Sequence, residues 1–243
     1  VAHIIKQEAD EILDKEFKVL DYGFVRLIDY FGSDERIVQA ARVSYGEGTT
    51  SYRRDRELIR YLLENEHTSP FEQVVFTFHV KLPIFVARQW VRHRTARLNE
   101  ISGRYSVLPE DYYVPDINRV KTQDSLDRQS SSDIELPVDI QNVVVALIEE
   151  ASRDAYKVYN RMLELGVARE IARMVLPLNI YSEWYWQMDL HNLFHFLKLR
   201  LDKHAQWEIR QYAQTIASII EQIAPISYEA FNDYILKPRR IQT

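Results

Sequence analysis

The stretch QVVFTFHVKLPIFVARQWVRHR, residues 73–94, changes its period at a single proline. From Gln73 to Leu82, β-branched and aromatic residues partly alternate with polar ones, which predicts a strand. Pro83 suits the first turn of a helix, and residues 83–94 then repeat at helical spacing. Ile84, Ala87 and Val91 give one side of that helix an apolar character, while Gln89, Arg92 and His93 share another side. Outward from this strand-helix junction, FVRLIDYF (24–31) reads as a strand. SDERIVQAARVSY (33–45) reads as a helix with Ser33 as N-cap and an acidic first turn. RDRELIRYLLENE (54–66) is a second amphipathic helix. A long helix is expected over 138–165, ending before Gly166, and a shorter one in VAREIARMVLP, stopped by Pro177. LNIYSEWYWQMDL (178–190) is aromatic and β-prone. Helices near 190–201 and 204–224 and a C-terminal one complete the chain. The β and α elements alternate too irregularly for a parallel sheet. The expected fold is α/β of the α+β kind: a single helix-rich domain, 1–243, around a small, mostly antiparallel sheet. The polar, serine-rich KTQDSLDRQSSSDIELP (121–137) has no periodicity and is expected to be a loop excursion within that domain.

The 243 residues carry a net charge of −5 and no cysteine. Disulfides, thiolate metal sites and thiolate nucleophiles are therefore excluded. The acidic balance argues against a general nucleic-acid binder, which needs a broad basic surface. VVVALI (143–148) is too short to cross a bilayer, and the N-terminal stretch lacks a signal-peptide core, so a cytoplasmic protein is expected, with no membrane contact. Only six glycines are present, without a GxGxxG or GxxxxGK[ST] motif, so neither usual nucleotide-binding loop is available.

Against this background, WVRHRTARLNEISGRYS (90–106) concentrates Arg92, His93, Arg94, Arg97 and Arg104 around one acid, Glu100. Basic residues in a last helical turn suit the helix dipole and commonly mean no more than a solvated helix end. The residues that follow change that balance. Glu100, Ser102 and Arg104 alternate, and in an extended segment they point the same way; Gly103 would let the backbone approach a ligand. Two further arginines, Arg173 and Arg200, stand in mostly apolar helical patterns. A lone arginine there is ordinarily snorkelling or salt-bridged, but a ligand anion is an alternative, since a guanidinium grips a phosphate bidentately. His191 and His195 are four apart, as zinc ligands can be, yet no HExxH or clear third ligand accompanies them, and no metal site is expected. Trp184, Tyr185 and Trp186 read as core or interface residues.

RHRTARLNEIS fits the RHR-x7-S signature, and the chain resembles the flavin-dependent thymidylate synthases (the ThyX family) along nearly its whole length. AARVSYG, HTSPFEQVVFTFHVKLPIFVARQWVRHR, NEISGRYS, AREIARMVLPLNIY and LRLDKHAQWEIRQYA all fall in that family's order. The resemblance implies a homotetramer with shared active sites. It implies reductive methylation of dUMP to dTMP with FAD, NADPH and 5,10-methylenetetrahydrofolate. By the same resemblance Arg92, His93 and Arg94 would contact the flavin, with Ser69 from another subunit. Gln89 and Arg92, with the backbone of Trp90 and Val91 between them, would contact dUMP. So would the turn Glu100, Ile101, Ser102, Gly103 and Arg104, with Glu100 also near the flavin, and Arg173. Arg200 would be the catalytic arginine that favours the N3-ionised uracil. Asp189, Leu190, His191 and His195 fall where the family again holds FAD. The chain departs from the common pattern at Arg97, where many members have a small hydroxyl residue, at Gln73, where His is frequent, and at 189, 191 and 195.

The resemblance and the missing cysteine agree in their chemistry. Without a thiolate to attack the uracil, a cofactor must carry the hard step, and the protein must orient the ring and stabilise its charge. Ser102 is read as a binding group ahead of a nucleophile, because a serine needs a base to ionise.

Overall fold

The computed structural model describes residues 4–44, 52–125 and 131–237. A short helix α1 (Gln7–Asp10) leads into a hairpin of β1 (Glu16–Val19) and β2 (Gly23–Phe31), followed by α2 (Asp34–Ala41) and α3 (Tyr52–Glu64). Then come β3 (Val75–Pro83), α4 (Ile84–Trp90), β4 (Arg97–Glu100), and a ribbon of β5 (Lys121–Gln123) and β6 (Ser131–Glu135). The second half holds α5 (Val138–Glu164), α6 (Arg169–Ala172), β7 (Tyr181–Asp189), α7 (Leu190–Arg200), α8 (Trp207–Ile223) and α9 (Pro225–Phe231). Five strands form one sheet in the order β1-β2-β3-β7-β4, and each neighbouring pair is antiparallel. The expected α+β class, helix-rich around a small antiparallel sheet, is what the chain forms. Tyr45, the last residue of the helix expected over 33–45, lies outside the described residues.

The centre of the sheet is the β3–β7 pair, and its alternation decides which face is core. Phe76, Phe78, Val80 and Leu82 are buried, as are Trp184, Trp186 and Met188 of β7. Phe78 stands opposite Trp186 and Val80 opposite Trp184, so the large side chains meet across the strands on one face. Helix α8 covers that face with Ile209, Tyr212, Ile216, Ile219, Ile220 and Ile223, all fully buried. The other face is polar. Lys81 Nζ pairs with Asp111 at 2.6 Å, His79 with Glu183 at 3.1 Å, and the exposed Tyr185 stacks on His79 at 4.8 Å between centroids. The aromatic run therefore splits by strand period: Trp184 and Trp186 in the core, Tyr185 outside.

A second cluster joins α5 to the site. Tyr156, Tyr159, Ala172 and Ile180 are buried together; the Tyr156 hydroxyl donates to Pro109 O at 2.5 Å, and Leu108 N donates to the Tyr159 hydroxyl at 3.1 Å. These bonds pin the segment after β4 against the long helix. Helix α5 ends as expected at Gly166, whose φ of +80° few other residues adopt.

Three expectations need correcting. The described residues of 121–137 are not all loop, because Lys121 and Gln123 pair with Glu135 and Ser131 in the β5–β6 ribbon; residues 126–130 of that stretch lie outside the described residues. That ribbon is polar, held by a Thr122–Ser132 hydroxyl contact at 2.6 Å, and so leaves no hydrophobic period to read. The strands β1 and β4 were not anticipated; Arg97–Glu100 is exposed at all four positions. The helix after Pro83 stops at Trp90 and does not reach Arg94. Among the described residues no helix is long and apolar enough to cross a membrane.

Candidate active site

The early end of α4 has a local cause. An α-helix continuing through His93 would bond its N–H to the Gln89 carbonyl. Instead His93 N donates to Trp90 O at 3.0 Å, and Gln89 O accepts from Arg200 Nη2 at 2.9 Å. The last residue of α7 has taken the carbonyl that α4 would have used. Arg92, His93 and Arg94 therefore sit in the turn beyond the helix, not in its last turn.

This junction of α4 and α7 makes a cleft of about 270 Å³, lined by Arg92, His93, Arg94, Thr95, Met188, Asn192, His195, Leu199 and Arg200. It contains three arginines and no carboxylate. Among the described residues Arg92, Arg94 and Arg200 form no ion pair, nor does Arg173. Arg200 is half-buried, and burial pulls its pKa below the usual guanidinium value. An unpaired and partly desolvated cation of this kind is suited to a ligand anion or oxyanion.

His93 completes the cleft. Its Nε2 accepts from Arg200 Nε at 3.0 Å, and its ring lies 4.9 Å from Phe196 and 5.9 Å from His195 between centroids. Burial, with the Arg200 charge and then His195 beside it, pushes its pKa down from 6.5 to about 4. Native His93 thus stays neutral while the unfolded chain's His93 takes a proton as pH falls below its ordinary value. Its contribution to stability is complete above about pH 6.5 and is lost as pH falls toward about 4. Urea midpoints at about pH 7.5 and about pH 5.5 should show a smaller drop for His93→Gln than for the parent protein. An equal drop in both would place the pH dependence elsewhere.

The turn after β4 forms a second group of residues. It does not extend as its alternation suggests: Tyr105 N donates to Ser102 O at 3.0 Å and Ser106 N to the same oxygen at 3.2 Å, so the chain turns. Glu100, Ser102 and Arg104 consequently have separate partners. Glu100 accepts from Ser182 Oγ at 2.5 Å, Ser102 Oγ accepts from Arg104 N at 3.3 Å, and Arg104 Nε lies 3.4 Å from Glu170 Oε2. With Glu100 turned to Ser182, the acid nearest to Ser102 in sequence does not serve it as a base. Gly103 is buried; a Cβ there would meet Leu108 Cδ1 at 3.0 Å and Arg173 Cδ at 3.4 Å. Arg173 is thereby placed beside the turn. Ile101, Tyr105, Ile171 and Met174, neighbours in the same segments, are exposed apolar residues.

The two groups stand apart. Arg104 and Arg173 do not line the α4–α7 cleft. Glu100 pairs with Trp184 on β7, whereas the cleft begins at Met188, a separation of roughly 13 Å along the strand.

The remaining anticipated residues fall as follows. Gln89 bonds Gln206 through their side-chain amides, Trp90 is buried, Val91 is partly exposed, and Ile101 N donates to Glu183 O at 2.9 Å. Asp189 caps α7, accepting from Asn192 N at 2.9 Å and Asn192 Nδ2 at 2.8 Å. Leu190 is fully buried with its N–H bonded to Val74 O, so its side chain packs the core. His195 lines the cleft; His191, one turn earlier on α7, and the exposed Ser69, before the turn Phe71–Gln73, do not. Arg97 is exposed at the start of β4, opposite Gln187. Among the described residues no three His, Asp or Glu side chains converge as metal ligands would. Sequence reading missed Thr95, Met188, Asn192 and Leu199 as cleft residues. Positions 192, 195 and 199 follow helical spacing, and extending that period from His195 would have found two of them.

Over residues 26–226 the chain matches the family model described as "Thymidylate synthase complementing protein". It is 58% identical over 219 residues to a flavin-dependent thymidylate synthase of Treponema denticola, covering 90% of this chain and 82% of that one. It is equally 58% identical to one of Thermus thermophilus, covering 90% of this chain and 79% of that one. Among solved structures, the UMP/dUMP methylase PolB of Streptomyces cacaoi bound with 5-Br dUMP superposes with a TM-score of 0.82 at 34% identity, covering 90% of this chain and 99% of that one.

Proposed function

The chain belongs to the flavin-dependent thymidylate synthase family, and we propose that residues 1–243 act as one catalytic domain, in the cytoplasm, that methylates dUMP to dTMP. On this reading 5,10-methylenetetrahydrofolate gives the carbon and NADPH is the reductant. The observation that carries it is the set of arginines at 92, 94, 173 and 200, which form no ion pair among the described residues of a protein of net charge −5. Three of them converge with no carboxylate on one cleft, where the half-buried Arg200 is already partly desolvated. Their charge is open to anions from outside the chain.

FAD, once reduced by NADPH, would supply the hydride, and a chain without cysteine has no thiolate with which to activate the uracil instead. The donor set fits part of such a group: Arg92 and Arg94 offer charge to a pyrophosphate, and His93, His195 and Asn192 line the same cleft. We assign Ser69, Glu100, Asp189, Leu190 and His191 to the flavin only through the family resemblance. For Leu190 that role would have to be one of packing. The remaining steps belong to this chain's own groups. Gln89, Trp90, Val91 and Arg92 orient the nucleotide from one side; Glu100, Ile101, Ser102, Gly103, Arg104 and Arg173 do so from another. Arg200 donates to the uracil edge and favours its N3-ionised form, acting electrostatically because a guanidinium stays protonated.

The two arginine groups do not share one cleft, since Arg104 and Arg173 lie off the α4–α7 lining, and exposed apolar residues surround the second. Helix α5 likewise exposes Val138, Val143 and Leu147. Both features support a homotetramer in which one protomer's Arg104 and Arg173 meet another's Arg200.

Arg104→Ala and Arg173→Ala should each weaken dUMP binding about 10- to 100-fold, the ordinary loss of a charge-assisted hydrogen bond, while FAD stays bound. Titrating dUMP into FAD-loaded protein measures the first, and flavin absorbance after gel filtration the second. Equal loss of both ligands would contradict this division of roles.

A further inference from the structure

We propose that His93 is a positioning residue for Arg200: its neutral imidazole and the Gln89 carbonyl together hold one edge of the guanidinium and leave the other for the substrate. The proposal rests on the reading of Arg200 as a uracil contact.

A guanidinium is planar and carries five N–H donors in a fixed fork. In Arg200 the Nε–H goes to His93 Nε2 at 3.0 Å and one Nη2–H goes to Gln89 O at 2.9 Å. Those two donors lie on the same edge. Two fixed points on a rigid plane set its orientation, so the end-on edge, with the two Nη1 hydrogens and the second Nη2 hydrogen, is the part left to a ligand. The Gln89 anchor lies in the last turn of α4 and the His93 anchor in the turn just beyond it.

The choice of partners has an electrostatic consequence. A carboxylate would hold the same edge and cancel the charge. An imidazole nitrogen and a peptide oxygen hold it and leave the full positive charge for an oxyanion. This requires a lone pair on Nε2, so the proton of His93 sits on Nδ1. Burial first, then the Arg200 charge and His195 from α7, keeps the ring neutral; Arg92 and Arg94 flank it on its own segment, and no carboxylate lines the cleft. Phe196 packs against the ring at 74° and restricts its rotation.

A double-mutant cycle on FAD-saturated protein separates this role from a flavin contact or a packing role. In His93→Gln the amide oxygen takes the place of Nε2, and dUMP affinity should stay within about threefold of the parent. In His93→Phe, which keeps the ring and loses the acceptor, it should fall at least about tenfold. With Arg200→Ala already present, His93→Phe should add less than about twofold. An equal effect of His93→Phe with and without Arg200 would overturn the proposal. Crystal structures give a reading that needs no substrate. Arg200 should keep its bond to Gln89 O in His93→Gln and lose its orientation in His93→Phe, and an unmoved Arg200 in His93→Phe would also overturn it. Parent protein that binds no dUMP would defeat the functional reading alone, and the crystal comparison would still decide the positioning.

Discussion

Replacing Arg200 by alanine is expected to slow methylation of dUMP in a single turnover by about 10²- to 10³-fold, the usual cost of one preorganised donor at a site of developing charge. Several observations converge on this residue. It closes α7, it sits in the cleft with Arg92 and Arg94, and among the described residues it has no ion-pair partner. Its own side-on donors are spent on His93 and Gln89, so the remaining fork is rigid before substrate arrives. Preorganised donors cost no reorganisation at the moment of reaction, which makes their removal expensive. Arg200→Lys should recover little, because an ammonium keeps the charge but cannot occupy both anchors and face the ring. FAD should remain bound in both variants. Rapid-quench measurement of dTMP from prereduced enzyme reads the rate directly. A loss below about threefold would show that Arg200 does not act on the reacting ring.

The second large effect is on stability. Trp90→Ala should destabilise the fold by about 3–5 kcal/mol, the range for emptying a large buried aromatic site. The Trp90 ring is completely buried, with centroids of Phe196, Trp186 and Trp184 at 4.8, 5.2 and 5.6 Å and Tyr212 at 5.9 Å. It thus touches α7, β7 and α8 at once. It also stands between Gln89 and the Arg92–Arg94 turn, so the cavity would loosen both anchors of the cleft. Trp90→Phe should keep more than half of the lost stability, since it retains much of the volume. Urea denaturation of the apoprotein is the measurement, and a loss for Trp90→Ala of under about 1 kcal/mol would mean that the cluster repacks.

How far the sequence could be read depends on where the ordering force lies. β3 and β7 were legible because both alternate against a buried face, with Phe76, Phe78, Trp184 and Trp186 in the core. β4 was not, because all four of its residues are exposed and β7 alone gives it a place. The ribbon at 121–123 and 131–135 is polar except for the exposed Ile134, and the residue before it, Val120, is tied to the long helix by Gln141 Nε2 donating to Val120 O at 3.1 Å, a contact no local pattern announces. The end of α4 depends on an arginine 111 positions away in the chain. At the candidate site the residue types were visible in the sequence, whereas the place of Arg173 beside the Gly103 turn was not. The alternation of 100, 102 and 104 misled, because a turn closed by the Ser102 carbonyl overrides the extended reading. Helical period would have given Asn192 and Leu199. The bond from His93 to Arg200 was beyond reach, since it links two segments that only the fold brings together.

One measurement bears on the central claim most directly. FAD-loaded protein is reduced without oxygen, mixed with dUMP and methylenetetrahydrofolate, and quenched after one turnover. The expected result is dTMP at the stoichiometry of bound FAD. Protein that holds reduced FAD and dUMP yet forms no dTMP would contradict the account and withdraw the roles given to Arg104, Arg173 and Arg200.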